Sequence, residues 1–340
     1  MNKRSIINPR DVPMLVTLGL FIIMFGLGAV SFIGFFSMQN FFNLFIDNAY
    51  LIIMAVGMTF VIISGGIDLS IGSMLALSTM LTSSLLEKSH WDPIAVIPTV
   101  LLVGIALGLF MGYLIQVYNL PPFIITLAGL YLARGLCYVV SIDTIGITNE
   151  FWQKAASAQI NVIGTSFISP SVVIALVVLV AGIFVSRATK FGRTVFAIGG
   201  NEQSAILMGL PVARTKILLY ALSGFCAALA GIVFTFYTQS GYALNGRGME
   251  MDAIAAVVIG GTLLTGGVGS ILGTLFGVFI FGTIQLLIAF QGTLNSWWTR
   301  IAIGFLVFAF CLLQRILESR KIGGKKKVVP VPPGAAVSKG

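Results

Sequence analysis

The stretch that decides the fold is FVIISGGIDLSIGSMLAL, residues 60–77. Apolar sequence of the kind that fills a bilayer lies at both ends, but the middle, GGIDLS, holds two glycines, an aspartate and a serine. Glycine weakens a helix by about 0.5–1 kcal/mol relative to alanine, and a charge at the bilayer centre costs about 2.5–3.5 kcal/mol. The stretch therefore predicts two membrane helices separated by a polar break.

The composition extends this interpretation to the whole chain. Of the 340 residues, 57% are hydrophobic and 9% are charged, whereas soluble domains carry about 25% charged residues. Charge-free runs such as 12–34 and 93–117 exceed the roughly 20 apolar residues that a helix needs to cross a membrane. We therefore predict an all-α integral membrane protein.

Ten spans and two cytoplasmic termini are predicted. The net charge of +9 does not indicate nucleic-acid binding, because the basic residues collect at the two ends and in one loop, as cytoplasmic segments require. One transmembrane domain covers 1–316, and a basic, Gly- and Pro-rich tail, 317–340, is predicted to be disordered. The predicted spans are 12–34, 49–64, 70–86, 93–117, 122–140, 169–186, 215–236, 251–265, 268–290 and 297–316.

Catalysis is not expected. The chain has one histidine, His90, three scattered cysteines, no metal-ligand or nucleophile motif and no phosphate-binding loop. The sequence therefore predicts no cofactor in this chain. If the protein pumps a solute, ATP and magnesium must bind to another subunit.

Charged residues inside predicted spans are the strongest functional signal, because they usually face the interior and mark pathways. Asp68 is either the N-cap of the following helix or part of a polar cavity opened by the glycines. Arg134 is either the counter-ion of Asp68 or extends to the membrane surface. Three further charges, Glu250, Asp252 and Arg300, lie near outer span ends, where they can reach the interface. The candidate substrate-path residues are Gly65, Gly66, Asp68, Ser70 and Arg134.

Part of the sequence of this break is repeated later in the chain. GGIDLSIGS (65–73) and GGTLLTGGVGS (260–270) share the pattern G-G-x-x-L-[ST]-x-G. A second broken or short helix is therefore predicted at 260–270. The longest outer loop, 141–168, is either a solvated connector or a surface for an external partner, with Trp152 near its middle.

A short helix is predicted in the inner loop, within 199–210. Asn201 is a good N-cap, and Gly209 followed by Leu210 and a proline is typical of a helix end. Ile206 and Leu210 are expected on one side of this helix. It either lies on the bilayer surface or docks into a soluble partner.

The sequence resembles the permease subunits of bacterial sugar ABC importers of the ribose type. GMTFVIISGGIDLSIGS, LPPFIITLAG, FGRTVFAIGGNEQSAILMGL and MDAIAAVVIGGTLLTGGVGSILGT carry the resemblance in this order over nearly the whole chain. GIVFTFYTQSGYAL, VVIGGTLLTGGVGSILGTLFGV and GTLNSWWTRIAIG look most like one of two paired permeases of a galactofuranose importer.

The resemblance implies a permease in the bacterial inner membrane, with a sugar path for galactofuranose and with arabinose or ribose as related substrates. It also implies three kinds of partner: a periplasmic sugar-binding protein, a second permease chain that is identical or a paralogue, and cytoplasmic ATPase subunits. Segment 199–210 would be the coupling helix that meets the ATPase, although its match to the E-A-A-x-x-x-G signature of other importers is loose. Its candidate coupling residues are Asn201, Glu202, Ser204, Ala205, Gly209 and Leu210. The alternative functions are a stand-alone secondary transporter, which needs its own ion site, and a passive channel.

Overall fold

A computed structural model describes residues 12–295 and 297–323 of the chain, which are mostly helical. The helices are α1 (Val12–Ser31), α2 (Met38–Ile46), α3 (Ala49–Ile63), α4 (Ile71–Glu87), α5 (Pro93–Val117), α6 (Pro122–Val140), α7 (Glu150–Ser157), α8 (Pro170–Ala188), α9 (Lys190–Gly200), α10 (Glu202–Leu207), α11 (Val212–Thr238), α12 (Met249–Ile259), α13 (Ile271–Gln291) and α14 (Trp297–Gly323). Four short strands accompany them: β1 (Ile145–Gly146), β2 (Ile160–Ile163), β3 (Ser166–Ile168) and β4 (Ser240–Gly241).

Six helices in the described part are long and apolar enough to cross a membrane, and a seventh span results if α2 and α3, bent by 55°, are one unit. Each of the ten predicted spans coincides with a helix, but α3, α4 and α12 have only 15, 17 and 11 residues. These are shorter than the roughly 20 residues of an ordinary span. The protein is a multi-pass membrane protein, and the count of ten stays a prediction.

The long helix α11 forms the centre of the bundle. It packs closely on α5 through glycines, since a Cβ on Gly108 would overlap the carbonyl oxygen of Tyr220, and one on Gly224 would overlap that of Gly104. Small residues at such contacts let membrane helices approach closely, because lipid gives them no hydrophobic driving force to associate. The four-residue spacing of Gly104, Gly108 and Gly112 on α5 is a signal that the sequence analysis did not use.

The loop 141–168, which the sequence predicts on the outer side, is folded, in contrast to the solvated connector that the sequence allowed. β1 pairs with β4 in antiparallel register, Ile145 opposite Gly241, and β2 pairs with β3. Trp152 is fully buried, and its indole nitrogen donates to the Thr235 hydroxyl at 2.9 Å. These strands correct the all-α prediction, and the buried tryptophan cannot serve as an external contact.

α14 continues to Gly323 and so covers the first residues of the predicted tail, 317–323. The disorder expected of the tail stays a prediction. The rest of the tail, 324–340, and the basic N-terminal residues Lys3, Arg4 and Arg10 lie outside the described residues.

Candidate functional site: the glycine breaks and an exposed helix tip

In the first break, residues 65–70 between α3 and α4, both carboxylate oxygens of Asp68 accept hydrogen bonds. Asp68 is 1% exposed, and its Oδ1 accepts hydrogen bonds from the backbone nitrogen of Ser70 at 2.9 Å and from the Ser70 hydroxyl at 2.6 Å. Its Oδ2 accepts one from the hydroxyl of Ser223, near the middle of α11, at 2.6 Å. The carboxylate therefore makes an Asx-type turn before α4 and links that turn to the central helix.

Asp68 does accept a backbone hydrogen bond just before α4, as the cap interpretation expected, but it is not the N-cap residue. The N-cap residue of α4 is Ser70, whose own side chain makes no capping bond. The neighbouring Ile67 carbonyl accepts a hydrogen bond from Thr126 on α6 at 3.3 Å. Polar groups of the break are therefore satisfied by protein, which is how non-helical backbone is tolerated at membrane depth.

Arg134 is not the counter-ion of Asp68. Its Nη1 donates to the backbone oxygen of Asn245 at 2.8 Å and to that of Ala243. Both oxygens belong to the segment between β4 and α12, far along the chain from the first break. Salt bridges in the described part join only Lys154 to Glu150 and Lys216 to Glu202. The predicted ion pair is wrong, because backbone carbonyls satisfy this guanidinium.

The two glycine motifs meet each other, which the repeated sequence pattern did not predict. The backbone nitrogen of Gly267 donates to the Ile63 carbonyl at 2.8 Å, and a Cβ on Gly266 would lie 2.9 Å from the nitrogen of Gly65. Gly199, near the end of α9, packs into the same place, because a Cβ there would overlap the Ile63 carbonyl oxygen and the Gly267 nitrogen. We call Ile63, Gly65, Gly199, Gly266 and Gly267 the glycine junction.

The candidate path residues are consequently dispersed. Gly65 lies in the glycine junction, Asp68 and Ser70 are buried and bonded to one another, and Arg134 binds a different segment. Gly66 lies beside the hydroxyl of Tyr220, which a Cβ would approach to 2.7 Å. The described contacts give Asp68, Ser70 and Arg134 structural partners, and their role in a substrate path stays a prediction.

The short helix predicted within 199–210 forms as expected, over Glu202–Leu207. Its N-cap is Asn201, whose side chain accepts from the backbone nitrogen of Ser204 at 2.7 Å. At the other end Gly209 has φ +74°, and the backbone nitrogen of Leu210 donates to the Ala205 carbonyl at 3.1 Å. This is the Schellman pattern of helix termination.

The helix buries one face and exposes an apolar tip. Ala205 is fully buried and packs with Ile198 and Val212. By contrast, the side chains of Ile206, Leu207 and Met208 are 55%, 88% and 66% exposed. The expectation that Ile206 and Leu210 share one side is wrong, since Leu210 lies beyond the helix and packs against the buried cluster.

Glu202 is already paired. Its Oε1 lies 2.5 Å from Lys216 Nζ on α11, and both side chains are partly exposed. The pair holds the start of α10 against α11, and Glu202 also lies where a carboxylate suits the helix dipole. The charge of Glu202 is therefore already paired within the chain, with Lys216.

A metal-binding site is not found among the described residues. No group of three or more His, Cys, Asp and Glu residues in the described part could hold a metal ion. What the geometry offers is a bundle with two broken helices that meet, and a rigid, capped helix that exposes apolar side chains.

Comparison with known proteins defines the class. The family model described as branched-chain amino acid transport system / permease component matches residues 40–311, and the chain belongs to that family. It is a membrane permease component of a transport system and not an enzyme.

Individual relatives cover nearly all of the chain. The inner membrane ABC transporter permease protein YjfF of Escherichia coli (strain K12) is 49% identical over 90% of this chain and 92% of its own. The fructose import permease protein FruG of Bifidobacterium longum (strain NCC 2705) is 40% identical over 93% and 94%. The ribose import permease protein RbsC of Haemophilus influenzae (strain ATCC 51907 / DSM 11121 / KW20 / Rd) is 36% identical over 85% and 88%. No solved structure matches the chain.

Proposed function

We propose that this protein is the membrane subunit of an ATP-driven importer of a monosaccharide. Two relatives named above are a fructose import permease and a ribose import permease, which favours a sugar as the substrate. The chain carries no phosphate-binding loop, so ATP hydrolysis takes place on a separate ATPase chain. A periplasmic binding protein delivers the sugar, and a second permease, identical or a paralogue, completes the path.

The exposed tip of α10 is the observation that supports this function best. Leu207 is 88% exposed at the end of a helix that is capped at both ends and held by the Glu202–Lys216 pair. Large exposed apolar side chains on a rigid element are typical of an interaction site. A rigid contact is also what transmission of movement from an ATPase to a bundle requires, because a loose loop would absorb the movement.

Leu207→Asn tests this contact. We expect it to insert and fold normally, yet to lower ATP-driven uptake at least about tenfold, since central apolar contacts each contribute about 1–3 kcal/mol to an interface. The control is Leu120→Asn, which alters another exposed leucine, 38% exposed, in the predicted inner loop between α5 and α6. Copurification of the ATPase and undiminished uptake by Leu207→Asn would show that α10 is only a surface helix.

The membrane topology proposed with this function has ten spans and both termini in the cytoplasm. It places His90, Lys154 and Arg247 outside, and Ser204 and Leu264 inside. Single cysteines at these five positions should react with an impermeant thiol reagent in intact cells only in the first group. Reaction of Leu264→Cys from the outside would mean that α12 does not cross the membrane.

Galactofuranose is the proposed sugar. The support is the resemblance of GIVFTFYTQSGYAL and GTLNSWWTRIAIG to one permease of a galactofuranose importer. In proteoliposomes that contain the complete importer, unlabelled galactofuranose should compete for uptake better than ribose, arabinose or fructose. Stronger competition by one of the other three would reassign the substrate while leaving a sugar importer in place.

The structure supports a secondary transporter less than the sequence did. Its one indication in the sequence was a buried pair of Asp68 and Arg134, and the two residues bind different partners.

A further inference from the structure

A polar cavity lies where α12 and α14 begin and α13 ends. Its volume is about 550 Å³, within the range of roughly 300–1,000 Å³ typical of small-molecule sites. Apolar walls come from residues such as Phe281 and Ile303. Its polar lining residues are Asp252, Gln285, Thr299 and Arg300.

A second, smaller cavity of about 160 Å³ adjoins the first. The two cavities share Gln285 and Ala289 on α13, so they lie side by side along one face of that helix. The junction of α2 and α3 supplies the polar lining of the smaller one. These residues are Asn40, Asn43, Asp47 and Asn48.

Asn48 has an unmet hydrogen-bonding need. It is 1% exposed, and its amide nitrogen donates to the Leu44 carbonyl at 3.0 Å. Its Oδ1, however, is buried without a partner among the residues that the structure describes. A buried polar atom without a partner costs about 1–3 kcal/mol. Such a cost next to a cavity is relieved when a hydroxyl group or a water molecule enters.

The chemistry of the lining selects for a neutral polyhydroxyl compound. An amide, a hydroxyl, a carboxylate and a guanidinium offer both donors and acceptors, which a sugar hydroxyl can use at the same time. The lining carries charges of both signs, Asp47 and Asp252 against Arg300, whereas charge-selective ion pores are lined by rings of one sign. The guanidinium of Arg300 also lies 5.6 Å from the Trp297 ring centre, and this contact limits its movement.

We propose that this double cavity binds the monosaccharide during its passage through the permease, with Gln285 and Thr299 as hydrogen-bonding residues. The inference rests on the proposed function and specifies where in the chain the sugar is recognised. Asp252 and Arg300, which the sequence places near outer span ends, line one cavity. In the proposed topology this cavity opens to the outside, where the binding protein releases its cargo.

Uptake of deoxy sugars tests the proposal in the complete importer, reconstituted with its ATPase, its second permease and its binding protein. Gln285→Met and Thr299→Val remove hydrogen-bonding atoms at nearly constant volume. The readout is the ratio of uptake of the sugar to that of each of its deoxy analogues. The same binding protein is present throughout, so its preference cancels between wild type and variant.

We expect each cavity variant to lower this ratio about fivefold for one hydroxyl position, which corresponds to one net hydrogen bond of about 1 kcal/mol. Thr99→Val on α5 is the matched control, since Thr99 lies outside the cavity and bonds only to the Ala95 carbonyl of its own helix. It should leave every ratio unchanged. Unchanged ratios in both cavity variants would overturn the proposal, whatever happens to total uptake.

Thiol labelling gives a second readout that does not require transport. Thr299→Cys should react with a small thiol reagent, and millimolar free sugar should slow the reaction while the same concentration of leucine does not. Equal rates with and without sugar contradict the proposal. A wild-type importer that takes up no monosaccharide would instead refute the proposed function, so the two failures are distinguishable.

Discussion

The two glycine breaks share a sequence pattern but are held in different ways. The first, between α3 and α4, encloses a buried carboxylate that binds Ser70 beside it and Ser223 on α11. The second, between α12 and α13, contains no charge, and Leu264 at its tip is 41% exposed. The second break touches the first through its backbone, at the glycine junction.

This difference separates the role of the glycines from the role of Asp68. The glycines of the junction allow two non-helical segments to touch, because their backbones approach without Cβ atoms between them. Asp68, which only the first copy has, fixes that copy to the central helix. We therefore expect the first break to be a rigid support and the second to depend on it, and four substitutions test this expectation in order of decreasing effect on stability.

Gly199→Ala should be the most damaging. The added methyl group would overlap the Ile63 carbonyl and the Gly267 nitrogen, so both breaks must move. Overpacking that shifts backbone costs about 1–3 kcal/mol and occasionally more, and we expect a loss of at least about 3 kcal/mol. The measurement is the thermal unfolding midpoint in detergent.

The control for this substitution lies next to it in the chain. A Cβ on Gly200 meets nothing within 4 Å, so Gly200→Ala should unfold at the wild-type temperature. Equal stability of the two variants would mean that the glycine junction is not closely packed.

Asp68→Ala should cost about 3 kcal/mol, because it leaves three buried donors, two on Ser70 and one on Ser223, without their acceptor. Asp68→Asn keeps one acceptor oxygen and should cost less. Thr265→Ala, at an exposed position of the second break, should change stability by less than about 0.5 kcal/mol. Similar losses from Asp68→Ala and Thr265→Ala would remove the distinction between the two breaks.

Arg134→Met should cost about 1–2 kcal/mol, because the carbonyls of Ala243 and Asn245 lose a charged donor. Its effect should add to that of Asp68→Ala within about 0.5 kcal/mol, since the two side chains share no partner. A double-mutant cycle on unfolding midpoints measures this. Strong non-additivity would restore the ion pair that the sequence suggested.

Sequence reasoning reached the class of protein and the positions of its helices, because apolar runs and charge placement are local properties. It also placed the caps of α10 correctly, since Asn201 and Gly209 act within a few residues of themselves. It failed for Arg134, whose hydrogen-bonding partners lie on a distant segment. Two opposite charges in apolar spans suggest an ion pair. Backbone carbonyl groups of a loop, however, can satisfy the hydrogen-bonding needs of a guanidinium equally well.

Gly209→Ala should destabilise the protein no more than Arg134→Met does, and it tests the role of α10. The residue has φ +74°, which costs about 1–2 kcal/mol for alanine, but a Cβ there meets nothing within 4 Å. Only backbone strain is therefore added, and Gly209→Asn should recover most of the loss because asparagine tolerates this conformation. If α10 is the ATPase contact, Gly209→Ala should lower uptake more than its small loss of stability explains, with Gly209→Asn in between. Unfolding midpoints and ATP-driven uptake, measured on the same preparations, separate the two effects. Uptake that simply follows the folded fraction would show that the shape of this helix end does not matter for coupling.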